Sequence, residues 1–255
     1  MLLTDMTWPD FAARAQTTRV ILPIGAIEPH GPHLPLGSDT MISDHFASRL
    51  AADIDAVIAP SIGYGVATPP QRLGGDFPGV VAISGSTFTQ LVTEVLTSLT
   101  EHGVRQHIIV NSAIDNISFL CEAARVVTTV FPGTRIMIVN WWDVVGEGFR
   151  NSLARETGVA RSDDHHAGMV ESSLIMHIAP DATQPELAES DSTGLGPRRF
   201  LYHMFPVPAD AATPSGIVYT ARQASADIGG RVADQVAREM AAAVRLEFDT
   251  SSARV

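Results

Sequence analysis

Residues 19–39 read RVILPIGAIEPHGPHLPLGSD (Arg19–Asp39), and the stretch changes character half-way. Arg19–Ile24 is an apolar run closed by Gly25, the pattern of a buried strand. Beyond Gly25 come Glu28, His30, His33 and Asp39, four possible metal ligands within twelve residues, in a loop stiffened by three prolines. Glu28 and His30 are separated by one residue, so in an extended loop they point the same way. A mixed oxygen and nitrogen donor set suits zinc, manganese or iron better than calcium. A polar surface loop could carry the same residues. The prolines and glycines favour a built site, because they restrict the loop before any ligand arrives.

Working outward, apolar runs at Asp55–Ile62, Val80–Ser84, Val104–Asn111 and Arg135–Trp141 read as further strands. Between them, Thr87–His102 carries Phe88, Leu91, Val92, Val95, Leu96 and Leu99 at helical spacing, with Ser86 to cap it and Gly103 to end it. Ile117–Val130, about Gly168–Ile178 and Ala226–Phe248 read as helices too, and residues 181–222 as loops with short strands. This alternation predicts an α/β fold with a mainly parallel sheet, formed as a single domain over residues 1–255. Sites in such sheets gather at the carboxyl ends of strands, which is where the Glu28–Asp39 loop lies.

Composition narrows the function. The chain has 255 residues, is 45% hydrophobic, and carries 28 acidic against 17 basic side chains, a formal charge of -11. Such a surface repels phosphates, so nucleic acid and anionic membranes are excluded as general partners. One cysteine, Cys121, allows no intrachain disulfide; it reads as a core residue, and a reducing, cytoplasmic setting is expected. No apolar run approaches the ~18 residues of a membrane span, and MLLTDMTWPDF at the start does not read as a signal peptide.

Two more clusters follow predicted secondary structure. Asn111-Ser112-Ala113-Ile114-Asp115-Asn116 places Asp115 where a helix begins, as an N-cap or as a carboxylate ligand. In Asp163-Asp164-His165-His166-Ala167-Gly168-Met169-Val170-Glu171, His166 and Glu171 stand roughly 140° apart on a regular helix. They converge only if His166 precedes the helix, which Gly168 permits. Asp163 and Asp164 suit a helix start. His45, His102, His107, His177 and His203 are scattered and read as structural or exposed.

Taken together, LPIGAIEPHGPHLPLGSD (Leu22–Asp39), DFPG (Asp76–Gly79), IVNSAIDN (Ile109–Asn116) and HAGMVESS (His166–Ser173) resemble the creatininase (creatinine amidohydrolase) family over essentially the whole chain. The resemblance implies a three-layer α/β/α fold, a homo-oligomer such as a hexamer, and a small-molecule substrate whose amide or cyclic-amide C–N bond is hydrolysed. It implies zinc or manganese, two ions per chain in the family, with Glu28, His30 and Asp39 as ligands and Asp39 bridging. It makes His166 a proton carrier near the scissile bond and matches Glu171 to the glutamate of the same helix motif, both as catalytic residues.

The chain also departs from that family. Ala113 stands where the family has a histidine ligand, and Asp115 where creatinine-cleaving members have a glutamate ligand. Met169 replaces an acid of the third motif. The expectation is therefore a site of His30, Asp39 and Asp115 holding one ion, with the Glu28 site weakened, or His165 filling in for the lost imidazole. The function expected is a metal-dependent hydrolase-like enzyme, open to repurposing in a biosynthetic pathway; the alternative is a non-catalytic subunit or binding protein. Loops at 140–165 and 190–215 would set specificity, with Trp141, Trp142, Arg198 and Arg199 as candidate contacts.

Overall fold

The structure is a computed structural model that describes residues 1–66, 77–188, 190–191 and 215–249. In chain order its elements are α1 (Trp8–Arg14), β1 (Arg19–Ile24), α2 (Ser38–Ile54), β2 (Ala56–Ile58), α3 (Gly85–Glu101), β3 (Gln106–Asn111), α4 (Ile117–Val130), β4 (Arg135–Asn140), α5 (Glu147–Thr157), α6 (Met169–Ile178), β5 (Ser190–Asp191), β6 (Tyr219–Thr220) and α7 (Ala226–Asp249). Four strands form one parallel sheet in the order β2-β1-β3-β4, and β5 pairs with β6 in a small antiparallel ribbon.

Alternation along the strands divides the core in two. Ile21, Ile108 and Val110 face a cluster built with α2, α5, α6 and α7. Val20, Leu22, Ile24 and Ile109 face the opposite one, built with α3 and α4. Because both faces are covered, the strands are apolar almost throughout, and the result is the expected three-layer α/β/α arrangement. Among the described residues no helix is long and apolar enough to cross a membrane.

The connections set the position of everything that follows. From β1 the chain runs through α2 to β2 on one side, then through α3 to β3 on the other. The sheet order therefore reverses between β1 and β3, and their carboxyl ends open a crevice there. The two exits are tied together: Ser112 N–H donates to the Ile24 carbonyl (3.0 Å), and Asn116 Nδ2 to the Gly25 carbonyl (3.0 Å). Gly25 has no substitute here, since a Cβ would meet the Thr40 backbone nitrogen of α2 at 2.4 Å.

Several expectations need correction. α2 has no counterpart in the sequence reading: its buried side includes Ser38, Asp39 and Ser43, which break the apolar stripe. α1 and α5 are likewise absent from that reading. α3 starts two residues earlier than expected and is capped by Ser84, whose Oγ accepts from Thr87 N–H (3.2 Å), not by Ser86. Val80–Ser84 is not a strand; Val81 and Ile83 each make one isolated bridge. Cys121 is exposed, because the buried stripe of α4 runs through Leu120, Ala123 and Val127.

One buried group in this sheet makes stability depend on pH. His107 of β3 is 1% exposed, and its Nε2–H donates to Thr100 Oγ1 (2.9 Å), whose own proton goes to the Leu96 carbonyl (2.7 Å). Its Nδ1 has no hydrogen-bond partner, so a second proton would create an enclosed charge. Burial, with a smaller push from Arg105, lowers its pKa to about 4. The unfolded chain, with the pKa near 6.5, then binds more protons between those values, and stability falls as pH drops through that window. A urea titration at pH 7.5 and pH 5 should show the wild type losing about 2 kcal/mol more than His107→Gln. Equal losses in the two proteins would refute this assignment.

Candidate metal centre

The crevice above β1 and β3 is lined from three directions. The loop after β1 brings Glu28 and His30. The first turn of α2 brings Asp39, where the helix dipole favours a carboxylate. The segment entering α6 brings His166 and Glu171. His166 precedes Met169, the first residue of α6, and this is what lets it face the same pocket as Glu171. Asp164 makes that entry possible: its Oδ1 accepts from Val170 N–H (3.1 Å), whereas Asp163 sits in the preceding 3-10 turn. Glu171 Oε2 accepts from Ala167 N–H (2.7 Å), which fixes the carboxylate against its own loop.

His30 is fully buried. Its Nδ1–H donates to the Glu28 carbonyl (3.1 Å), a group that can only accept, so Nε2 is the atom left to face the pocket. There it lies 3.5 Å from Asp39 Oδ1 and 3.7 Å from Glu171 Oε1. Neither His30 Nε2 nor Asp39 Oδ2 has a hydrogen-bond partner, although both are buried. Buried polar atoms are rarely left in that state. The spacings are too long for direct hydrogen bonds. They are close to the edge, about 3.4 Å, of a tetrahedron of ligands set about 2.1 Å from one ion.

A second pair adjoins the first. His166 Nε2–H donates to the Pro29 carbonyl (2.7 Å), leaving Nδ1 turned toward Glu28 Oε1 at 3.5 Å, and the two imidazole rings are 4.5 Å apart. Consecutive carbonyls, Glu28 and Pro29, thus orient both histidines, which is how metal-ligating imidazoles are commonly held. Two groups of ligand atoms result, His30/Asp39/Glu171 and Glu28/His30/His166, each gathered within 4.8 Å.

The electrostatics of the pocket suit a cation. Burial and the Glu28 carboxylate push Asp39 up to about 7. Burial pulls His30 down, but Glu171 and Asp39 outweigh it and raise its pKa well above 6.5. Glu171 is lowered in spite of burial by His30. His166, enclosed and beside His30, is lowered. The proton that two carboxylates hold on His30 is the one a metal ion would displace. The donor set, carboxylate oxygens and imidazole nitrogens, fits zinc or manganese.

Asp115 belongs to neither group. It sits half-buried in a 3-10 turn, Ile114–Asn116, and the N-cap of α4 is Asn116. Glu171 occupies the place beside His30 and Asp39 where Asp115 was expected. Ala113 is buried and offers no donor atom. His165 is exposed, with Nε2 at the Ser162 carbonyl (3.0 Å), so it does not stand in for the lost imidazole. Trp141 is buried in the core and packs edge-on against Trp142. Asp76, Arg198, Arg199 and His203 lie outside the described residues.

His33, counted among the possible ligands in the sequence, joins neither ligand group and plays another part. Its Nε2–H donates to Ser172 Oγ (2.7 Å), and Ser172 donates in turn to the Ala167 carbonyl (3.1 Å). This buried chain joins the β1 loop to α6 one residue from Glu171. The only signal was the crowding of possible ligands between Glu28 and Asp39.

Comparison with known proteins places this geometry among relatives. Residues 4–244 match the family model described as creatininase, creatinine amidohydrolase. The chain is 26% identical over 252 residues to the creatinine amidohydrolase of Pseudomonas putida, covering 96% of each. It is 31% identical over 172 residues to the mycofactocin precursor peptide peptidase of Mycolicibacterium smegmatis, which is 64% of this chain and 58% of that peptidase. A crystal structure of creatinine amidohydrolase superposes with a TM-score of 0.88 at 25% identity and 97% coverage of both chains. A manganese creatininase and a mutant creatininase of Zn-Zn type match with the same TM-score, each at 25% identity over 97% of this chain and 98% of theirs.

Asp39→Asn separates the two demands on this pocket. It removes one of three crowded carboxylates, so the metal-free variant should melt at or above the wild-type temperature. It also removes a donor, so the rise in melting temperature on adding zinc should disappear. A variant that keeps the full zinc-induced rise in scanning calorimetry would show that Asp39 holds no ion.

Proposed function

This chain belongs to the creatininase family, and on that premise we propose that it is a metal-dependent hydrolase acting on the amide or cyclic-amide C–N bond of a small molecule. The observation that carries the proposal is the buried set His30, Asp39 and Glu171, with His30 Nε2 and Asp39 Oδ2 lacking any other partner. We assign these three residues to one divalent ion, zinc or manganese, with Glu171 in the role the sequence reading gave to Asp115. When bound, the ion supplies Lewis acidity for a carbonyl oxygen and lowers the pKa of water.

The chain's own groups do the rest. His166 keeps Nδ1 bare because Nε2–H is committed to Pro29, so Nδ1 can accept a proton and return it to the leaving nitrogen. Glu28, 3.5 Å away, stabilises the imidazolium while the proton is held. The hydrogen bonds from Ala167 N–H to Glu171 and from His33 to Ser172 keep this side of the pocket from shifting. Ala113 sets the chain apart from the pattern of creatinine-cleaving members, which favours a different small amide as substrate, including one met in a biosynthetic pathway. A homo-oligomer, a hexamer by family resemblance, goes with the same reading.

Elemental analysis of protein purified without chelators should find about one tightly held zinc or manganese per chain. His166→Gln should retain that ion yet hydrolyse a cyclic amide at least about 100-fold more slowly. Protein that contains no metal, and whose melting temperature is unmoved by zinc and manganese, would overturn the proposal.

A further inference from the structure

The rim of the crevice on its α4 side is apolar and open to solvent. Tyr64, Val81 and Ile114 are 55%, 48% and 63% exposed. Apolar side chains exposed singly are ordinary, but a gathered patch marks a place where something binds. These three come from separate segments that backbone contacts tie to one place. Val81 N–H donates to the Ile27 carbonyl (3.3 Å), one residue before Glu28. Ile83 N–H donates to the Gly65 carbonyl (3.0 Å), which sets Tyr64 beside the same segment. Asn116 Oδ1 accepts from Val66 N–H (2.9 Å), which brings Ile114, two residues before it, to the other end of the row. Gly65 is wedged between them: a Cβ there would meet the Ala26 Cβ at 2.8 Å and Asn116 Oδ1 at 3.1 Å. Residues 77–83 read FPGVVAI, without one charged or hydrogen-bonding side chain, although Val81 and Ala82 face solvent.

We infer that this rim is a subsite for the acyl part of the substrate, and that the amide hydrolysed carries an apolar group of several carbons on its carbonyl side. The inference rests on the hydrolase reading above. In that reading His166 serves the leaving nitrogen from the α6 side of the sheet. The carbonyl side of the scissile bond then points the other way, toward the face built with α3 and α4, where Val66 and Ile83 already pack. An alkyl or aryl group attached there lies on Val81 and Ile114 and removes both from water. The patch runs directly into the loop that carries Glu28, at the carboxyl ends of the strands where such sheets take their ligands. A second copy of the chain is a poorer occupant, because three half-exposed side chains fall well short of the ~800 Å² per partner that a standard interface buries.

Straight-chain hydroxamates, which hold a zinc ion through two oxygens, are the probes. Calorimetry on zinc-loaded protein should show hexanohydroxamate binding at least about 10-fold more tightly than acetohydroxamate, roughly twofold for each added methylene at half burial. Val81→Ser combined with Ile114→Ser should bring that ratio below about threefold, whereas Ile114→Leu should keep it. Equal affinity of the wild type for the two hydroxamates, or a ratio unmoved in the double variant, would overturn this inference and leave the one-ion hydrolase standing. A fall in assembled mass caused by Ile114→Ser in sedimentation would assign the patch to a contact between copies and overturn it too. Zinc-loaded wild type that binds no hydroxamate of either length would instead remove the proposed function, and the subsite with it.

Discussion

Three carboxylates enclosed around one imidazole repel one another unless positive charge sits among them. Glu28, Asp39 and Glu171 reach the pocket from different elements, carried by the loop after β1, the start of α2 and the start of α6. Asp39 is carried by the first turn of α2, and Glu171 is pinned by Ala167 N–H. Among the described residues the basic groups paired with them are His30 and His166, and the outward nitrogens of these two are occupied by the carbonyls of Glu28 and Pro29. A fold under selection for stability alone would not gather these groups, because a buried charge without compensation costs several kcal/mol. The pocket makes physical sense as a site that a divalent ion completes.

Delivering those groups to one point requires close backbone contacts below the pocket. Gly25 lets the start of α2 press against the exit of β1, which brings Asp39 under the loop that carries His30. Gly229 does the same on the other side: a Cβ there would lie 1.9 Å from the Ser173 carbonyl oxygen, so α7 can seat against α6 only with glycine at that position. Ser173 completes the seat, since its Oγ accepts from Ser225 N–H (3.0 Å) at the start of α7. The helix that holds Glu171 is thereby located from the sheet side and from the outer layer at once.

How much of this could be read from the sequence depended on whether local pattern and tertiary role agreed. β1 and α4 fall on the same residues in both readings, because apolar runs and helical spacing there report the core directly. α2 escaped because its buried face includes Asp39 and Ser43, residues chosen for the pocket and its packing at the expense of the stripe. Glu28, His30 and Asp39 stood out through crowding in one loop. That Glu171 joins His30 and Asp39 in one group while Asp115 stands outside it could not be read, since it turns on where α6 begins and on the hydrogen bond by which Asp164 holds that start. Cys121 misled because one residue of rotation, about 100°, separates the buried stripe from solvent.

The loss of a donor at position 113 is compatible with an intact pocket because the loop after β3 does not depend on metal for its shape. Asn111 holds both ends of Ala113: its Oδ1 accepts from Ala113 N–H (3.3 Å), and its Nδ2 donates to the Ala113 carbonyl (2.9 Å). The same Nδ2 reaches Asn140 Oδ1 at the end of β4 (2.8 Å), and Asn116 ties the loop to Gly25 and Val66. Side-chain amides thus fix the crevice floor across the exits of β1, β3 and β4. With the floor held in this way, an imidazole can be deleted from it without releasing the carboxylates above. The residue at position 113 can therefore differ while the strand exits that position the pocket keep their arrangement.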